Sequence, residues 1–240
     1  METQTVGDSE ASPSTQEQKR KLNTYIVNTS RADHDLGSHL RKHAAANATL
    51  AQALRDTEAA SQELGKIKTR LERLIEMTQT KTTITPAGFR HVLDDFSSQI
   101  LDIENTYEKA VGDVWMAWRD AIRNLIQAGD AGNQQEQTLV NLHRLVGVTE
   151  DDQQKKEISG VVNALERQKE ESMQELQKAA TDQEARSSLM ATPRYLDEHR
   201  KEWRAMRIAI GKTMAGARSA IGDTQQVPAS SPHPQHIHHI

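Results

Sequence analysis

Apolar side chains between Phe89 and Ala117 recur at alternating steps of four and three: Phe89, Leu93, Phe96, Ile100, Ile103, Tyr107, Ala110, Val114 and Ala117. That spacing gathers them on one side of an α-helix and reads as a heptad seam. Ala121 and Leu125 carry it on in steps of four, while Val92, Val111, Trp115, Trp118, Ile122 and Ile126 widen the stripe. A stripe this wide implies contact with more than one neighbouring helix. Thr85 can cap the helix and Pro86 can take its first position, where the missing N–H costs nothing. Gly129-Asp130-Ala131-Gly132 is expected to end it.

A second seam precedes this one. Leu36, His39, His43, Ala46, Leu50, Ala53, Thr57, Ala60, Leu64, Ile67, Leu71 and Leu74 again alternate threes and fours. Its first half is small or polar and its last stretch fully apolar. Asn28 to Gly37 is poor in helix formers and predicts a kink or break, and Lys81 to Ile84 interrupts the pattern. After the glycines, Leu139, Leu142, Leu145 and Val146 predict a short helix closed by Gly147, with Thr149 and Asp152 as a capping box for the next. That helix runs toward Met190 on a thin seam of Ile158, Val162, Leu165, Met173, Leu176 and Ala180. Thr192-Pro193 predicts a fresh start or a proline kink before Leu196, His199, Trp203, Met206 and Ile210.

The fold class that follows is all-α. We expect an elongated antiparallel helical bundle or coiled coil of three long helices, with a short helix between the second and third. Residues 1–15 are expected to be a disordered lead-in, 16–222 the helical domain, and 223–240 a disordered tail rich in His, Pro and Ser. Composition agrees with narrow seams rather than a thick core: 35% of the chain is apolar, 3% aromatic, and mean hydropathy is -0.74.

The same composition excludes several functions. Cysteine is absent, which removes thiolate chemistry, disulfides and Cys-held metals. Net charge is -4, from 30 basic and 34 acidic residues, so no global attraction to nucleic acid is expected. Met1 to Gln18 has no apolar core of a secretory signal, and no apolar run is long enough to span a bilayer, so a cytoplasmic protein is expected. Ile210-Gly211-Lys212-Thr213 ends like a phosphate-binding loop, but Met206 stands where the loop needs its first Gly. Asp35, His39 and His43 fall four apart on one stripe, as metal ligands can, yet they read as polar seam positions. His91 and Asp95 read as a surface pair, and His233, His236, His238 and His239 as a polar tail. No catalytic, cofactor-binding or metal-binding residue is therefore expected, and no cofactor.

What remains is helix association. Leu64, Ile67, Leu71 and Leu74, with Phe96, Ile100, Ile103, Tyr107 and Val114, are the expected interaction seam, and an acidic replacement is expected to harm Ile100 or Ile103 far more than Thr57. The last helix departs from the rest in charge. From Thr192 to Ile221 it carries seven basic residues against three acidic, whereas residues 150–184 carry ten acidic against five basic. Arg200, Trp203, Arg204 and Arg207 form its candidate partner face, expected to meet carboxylates of the preceding acidic helix or of a second copy. These features predict a non-enzymatic structural or adaptor protein that forms a homodimer and binds other proteins. The alternative partner is a membrane surface.

The order of the helices, with a short insertion between the second and third, resembles a BAR domain over about residues 20–220. Glu166-Arg167-Gln168-Lys169 looks like the charged start of the last helix in such proteins. The resemblance implies a crescent-shaped homodimer that binds anionic lipid through basic residues and shapes membranes.

Far-UV circular dichroism is expected to show about three quarters of the residues helical, against the usual third. Substantial strand in the spectrum would overturn the fold class.

Overall fold

A computed structural model of the chain describes residues 13–80 and 85–223. They form four α-helices: α1 (Pro13–Thr80), α2 (Pro86–Val148), α3 (Asp152–Thr181) and α4 (Gln183–Asp223). No strand occurs among the described residues. The expected break at Lys81–Ile84, the lead-in as far as residue 12 and the four tail histidines lie outside them. The helices make two compact units. One joins α1 up to Ala51 with Val114–Thr192; the other joins Gln52–Asp113 with α4 from Pro193 onward.

Several local expectations give way to tertiary contacts. α1 runs through Asn28–Gly37 without a break. Three of the residues there are buried, Thr29, Ala32 and Leu36, and Thr29 returns its hydroxyl to the Tyr25 carbonyl at 2.9 Å. Weak propensity costs at most about 1 kcal/mol per residue, and burying one Leu is worth about 1.5–3 kcal/mol.

α2 likewise passes through Gly129 and Gly132, so no separate short helix exists between the second and third long ones. The reason is packing: a Cβ at Gly132 would lie 3.1 Å from the Met173 sulfur and 3.4 Å from Leu36 Cδ1. Glycine there permits a close approach of α1, α2 and α3 instead of ending a helix. The segment expected to be the short helix supplies Leu139, Leu142 and Leu145, which form one apolar cluster with Ile158, Val162 and Leu165 of α3.

The cap of α3 is Asp151, whose carboxylate accepts from the Gln154 N–H at 2.7 Å. Thr149, read as half of a capping box, instead donates its hydroxyl to the Leu145 carbonyl at 2.7 Å. The cap of α2 is as the sequence predicts: Thr85 Oγ1 accepts from Gly88 N–H at 3.2 Å, and Pro86 is the first helical residue.

The break in the last long segment falls at Asp182 and not at Pro193. Asp182 donates its N–H to the Lys178 carbonyl, ending α3, while its carboxylate accepts from the N–H groups of Glu184 and Ala185 at 3.1 Å each, starting α4. Pro193 then sits inside α4. Without an N–H it leaves the Leu189 carbonyl one turn back unpaired within the helix. The indole Nε1 of Trp118 donates to that carbonyl at 2.7 Å. A neighbouring helix thus replaces the lost bond, and the proline is tolerated.

In the first unit α1 and α2 run in opposite senses, as shown by His43 with Ala121 and Asp33 with Gln135. His43 is buried. Its Nδ1 donates to the Ala121 carbonyl at 2.8 Å, so its Nε2 is left to accept from the Asn47 amide at 3.0 Å. In the second unit α2 and α4 also run in opposite senses, as shown by Tyr107 with His199 and Asp94 with Arg218.

Replacing Trp118 with Phe should destabilise the native chain by about 1–3 kcal/mol, the cost of stranding a buried carbonyl. In a Pro193→Ala background residue 193 regains an N–H for the Leu189 carbonyl, and the same replacement should cost measurably less. Urea unfolding of the four proteins in this cycle checks it; equal costs in both backgrounds would remove the role assigned to Trp118.

Candidate functional site

The densest set of side chains able to do chemistry lies where α4 meets α2 in the second unit. It is built on helical periodicity. Tyr195, His199, Trp203 and Arg207 stand four apart on α4; Glu104, Tyr107 and Glu108 stand three and four apart on α2. Trp203 is only 5% exposed and lies flat on Tyr107, ring centroids 3.8 Å apart and planes within 2°. The Tyr107 hydroxyl is hydrogen-bonded to His199 Nδ1 at 3.1 Å. His199 in turn stacks on Tyr195 at 5.4 Å, and the Tyr195 hydroxyl donates to Glu58 of α1 at 3.1 Å.

Ion pairs flank this ladder. Arg207 grips Glu104 through two nitrogens, Arg200 reaches Glu108 at 3.7 Å, and Arg218 bonds Asp94 at 2.9 Å and Ser97 at 3.0 Å. A cleft of about 280 Å³ lies between the two helices, with Arg204 and Ile208 on its wall.

The electrostatics of the two phenols are set mainly by burial. Burial pushes the Tyr107 phenol up to about 12, an effect the nearby Arg200 partly opposes. Burial, then the hydrogen bond to Glu58, pushes Tyr195 to about 12 as well. Both phenols stay protonated at neutral pH, and that of Tyr195 donates to Glu58. The ion pairs are partly exposed, and each adds no more than about 1 kcal/mol. Burial of the Trp203 and Tyr107 rings outweighs them.

The sequence-predicted residues divide as follows. Leu64, Ile67, Leu71, Leu74, Phe96, Ile100 and Tyr107 are buried in the second unit, and Val114 is buried in the first. Ile103 is half-exposed, whereas Thr57 is fully buried with its hydroxyl on the Ala53 carbonyl at 2.8 Å. Burial thus gives no ground for a carboxylate being better tolerated at Thr57 than at Ile100 or Ile103. Of the candidate partner face, Arg200, Arg204 and Arg207 share the α4 surface, but Trp203 turns inward. The carboxylates that meet Arg200 and Arg207 come from α2, not from the acidic α3.

The remaining motifs resolve into helix chemistry. Both nitrogens of His43 are engaged, and His39 Nδ1 donates to Asn124 Oδ1 at 3.3 Å. Asp95 accepts from Gln99, one turn on, at 2.8 Å. Ile210–Thr213 lies inside α4, where Thr213 bonds the Ala209 carbonyl. Among the described residues no group of three or more His, Asp or Glu is placed to hold a metal ion.

One constellation went unread in the sequence. In the first unit Asp33 accepts from Gln135 of α2 at 3.4 Å and from Gln168 and Ser172 of α3 at 2.6 and 2.5 Å. One carboxylate thereby joins three helices. Comparison with protein-family models, with curated proteins and with solved structures gave no significant match.

The tyrosine shifts predict an alkaline transition. An unfolded tyrosine loses its proton near pH 10, while Tyr107 and Tyr195 hold theirs to about 12. Between those values the folded state binds more protons, so their contribution to stability is complete below pH 10 and is lost as pH rises to about 12. Ultraviolet titration of tyrosinate should show both ionising late in the native chain. A Tyr107→Phe, Tyr195→Phe variant should lose the late step; a native titration finished near pH 10 would contradict the shifts.

Proposed function

We propose that the chain is a non-enzymatic coiled-coil protein, structural or adaptor in role, which acts in the cytoplasm by self-associating as a homodimer and binding other proteins. In this reading its helices make an antiparallel bundle. The observation that carries it is the division of the apolar residues. Most seam positions are buried, yet Leu101, Met116, Ile126 and Ile208 each remain more than half exposed on the outward faces of α2 and α4. Large apolar side chains held out on rigid helices suit helix–helix contact. The groups that would be needed for acid–base or nucleophilic work are tied to one another in the aromatic ladder, which supports a non-enzymatic role.

The membrane-shaping alternative requires a basic lipid-facing surface. Arg200, Arg207 and Arg218 are each paired with a carboxylate. Between Asp130 and Asp152 the only Lys or Arg is Arg144. No helix among the described residues is long and apolar enough to cross a membrane.

Light scattering coupled to size-exclusion chromatography should give twice the chain mass of 26.9 kDa. Sedimentation with phosphatidylserine vesicles should leave the protein in the supernatant. A monomeric mass removes self-association, and salt-sensitive pelleting with the vesicles replaces the adaptor reading with the membrane one.

A further inference from the structure

The second unit carries two outward features of opposite charge. The first is a groove between α1 and α2, about 420 Å³ in volume. Its floor is small and apolar, made by Ala59, Ala60 and Ala110 with the half-exposed Ile103. Its rims carry Asp56 and Glu63 from α1 and Asp102 and Asp113 from α2, against the single ammonium of Lys109. A floor of alanines lets another helix approach closely, and the rim, on which Glu63 alone of the four carboxylates is paired with a lysine, Lys66 at 2.6 Å, favours a basic one.

The second feature is an exposed ridge of α4 that borders its cleft with α2. Lys201, Arg204, Ile208 and Lys212 follow one another at steps of three, four and four, so they share one stripe, and all four are exposed. Ile208 stands at its centre with 59% of its surface in water. The stripe is an apolar tip flanked by three cations. The groove is an apolar floor flanked by carboxylates. Alanine on the floor leaves the depth that an isoleucine on the ridge fills.

We propose that the α4 ridge of one copy docks into the α1–α2 groove of a second copy, with Ile208 over the alanine floor and Lys201, Arg204 and Lys212 against the acidic rims. This rests on the self-association reading above and names its surface. Because each chain carries both features, a two-fold arrangement seats each ridge in the partner's groove and closes the assembly at two copies. The charge match suits another copy, because the basic helix that the groove selects and the acidic groove that the ridge selects are both carried by this chain.

A charge exchange on the full chain tests it. In Arg204→Glu, Lys212→Glu the ridge is reversed; in Glu63→Lys, Asp102→Lys the groove is reversed. All four positions are exposed, and the helical spectrum of each variant should match that of the native chain. By light scattering at low salt, each variant alone should show a dimer dissociation constant raised about tenfold or more. Mixing the two should restore dimers, because both ridge–groove contacts of the mixed pair are again complementary. A double variant that loses its helical spectrum is replaced by Ile208→Ser, which should also weaken the dimer.

The outcomes separate the two readings. A native chain that stays monomeric overturns both. A native dimer that both reversed variants, or Ile208→Ser, form equally well overturns the ridge and groove while leaving self-association intact. So does failure of the mixture to recombine.

Discussion

Burial of one series on α2, recurring every seventh residue, is the constraint around which the other helices are arranged. Leu93, Ile100, Tyr107, Val114, Ala121, Ala128, Gln135 and Leu142 are all buried, and Thr149 just beyond the helix end extends the series. A matching series on α1 comprises Thr29, Leu36, His43, Leu50, Thr57, Leu64 and Leu71, again all buried. Removing a large apolar side chain from water is worth about 1.5–3 kcal/mol, several times what a partly exposed ion pair contributes. The order of importance is therefore fixed. Within each unit the seams hold the helices together, and the surface charges act on whatever approaches.

Polar residues inside those series do a different job. Thr29 and Thr57 satisfy their hydroxyls on their own helix and behave as small apolar fillers. Gln135 and His43 reach across to another helix, as does Asp33 beside the series. A side chain that must find one particular partner tolerates no sliding of one helix along the next, whereas Leu against Leu tolerates several registers. Apolar positions thus supply most of the attraction, and the cross-helix polar contacts choose the alignment. Trp118 belongs to the second group, since its indole N–H suits only the carbonyl that Pro193 strands.

Much of the helical class was legible because periodicity is a global property. Leu64 to Leu74 and Phe89 to Val114 announced their faces without reference to any partner. The misread places were those judged by local signals. Gly129 and Gly132 suggested a terminus, although counting in sevens from Val114 leads through Ala121, Ala128 and Gln135 to Leu142 without a gap. The small residues hid the continuity, since alanine and glutamine scarcely register as seam-forming. Asp182 offered less: an isolated Asp among helix formers gives little warning that it caps in both directions, while Thr192-Pro193 gave a louder and misleading signal. The site was legible in outline through the Arg200, Arg204 and Arg207 spacing. The inward turn of Trp203 was not, because neighbours on a helix wheel look alike until the partner, here Tyr107, is known.

The parallel contact of Trp203 with Tyr107 gives the molecule optical properties of its own. Rings in van der Waals contact lie well within the range of tyrosine-to-tryptophan energy transfer, so light absorbed by Tyr107 passes to Trp203. The other two tryptophans, Trp115 and Trp118, lie edge to face 5.5 Å apart in the other unit, an arrangement suited to coupled ellipticity in the near ultraviolet. The two units thus carry aromatic pairs of different geometry, stacked in one and edge to face in the other.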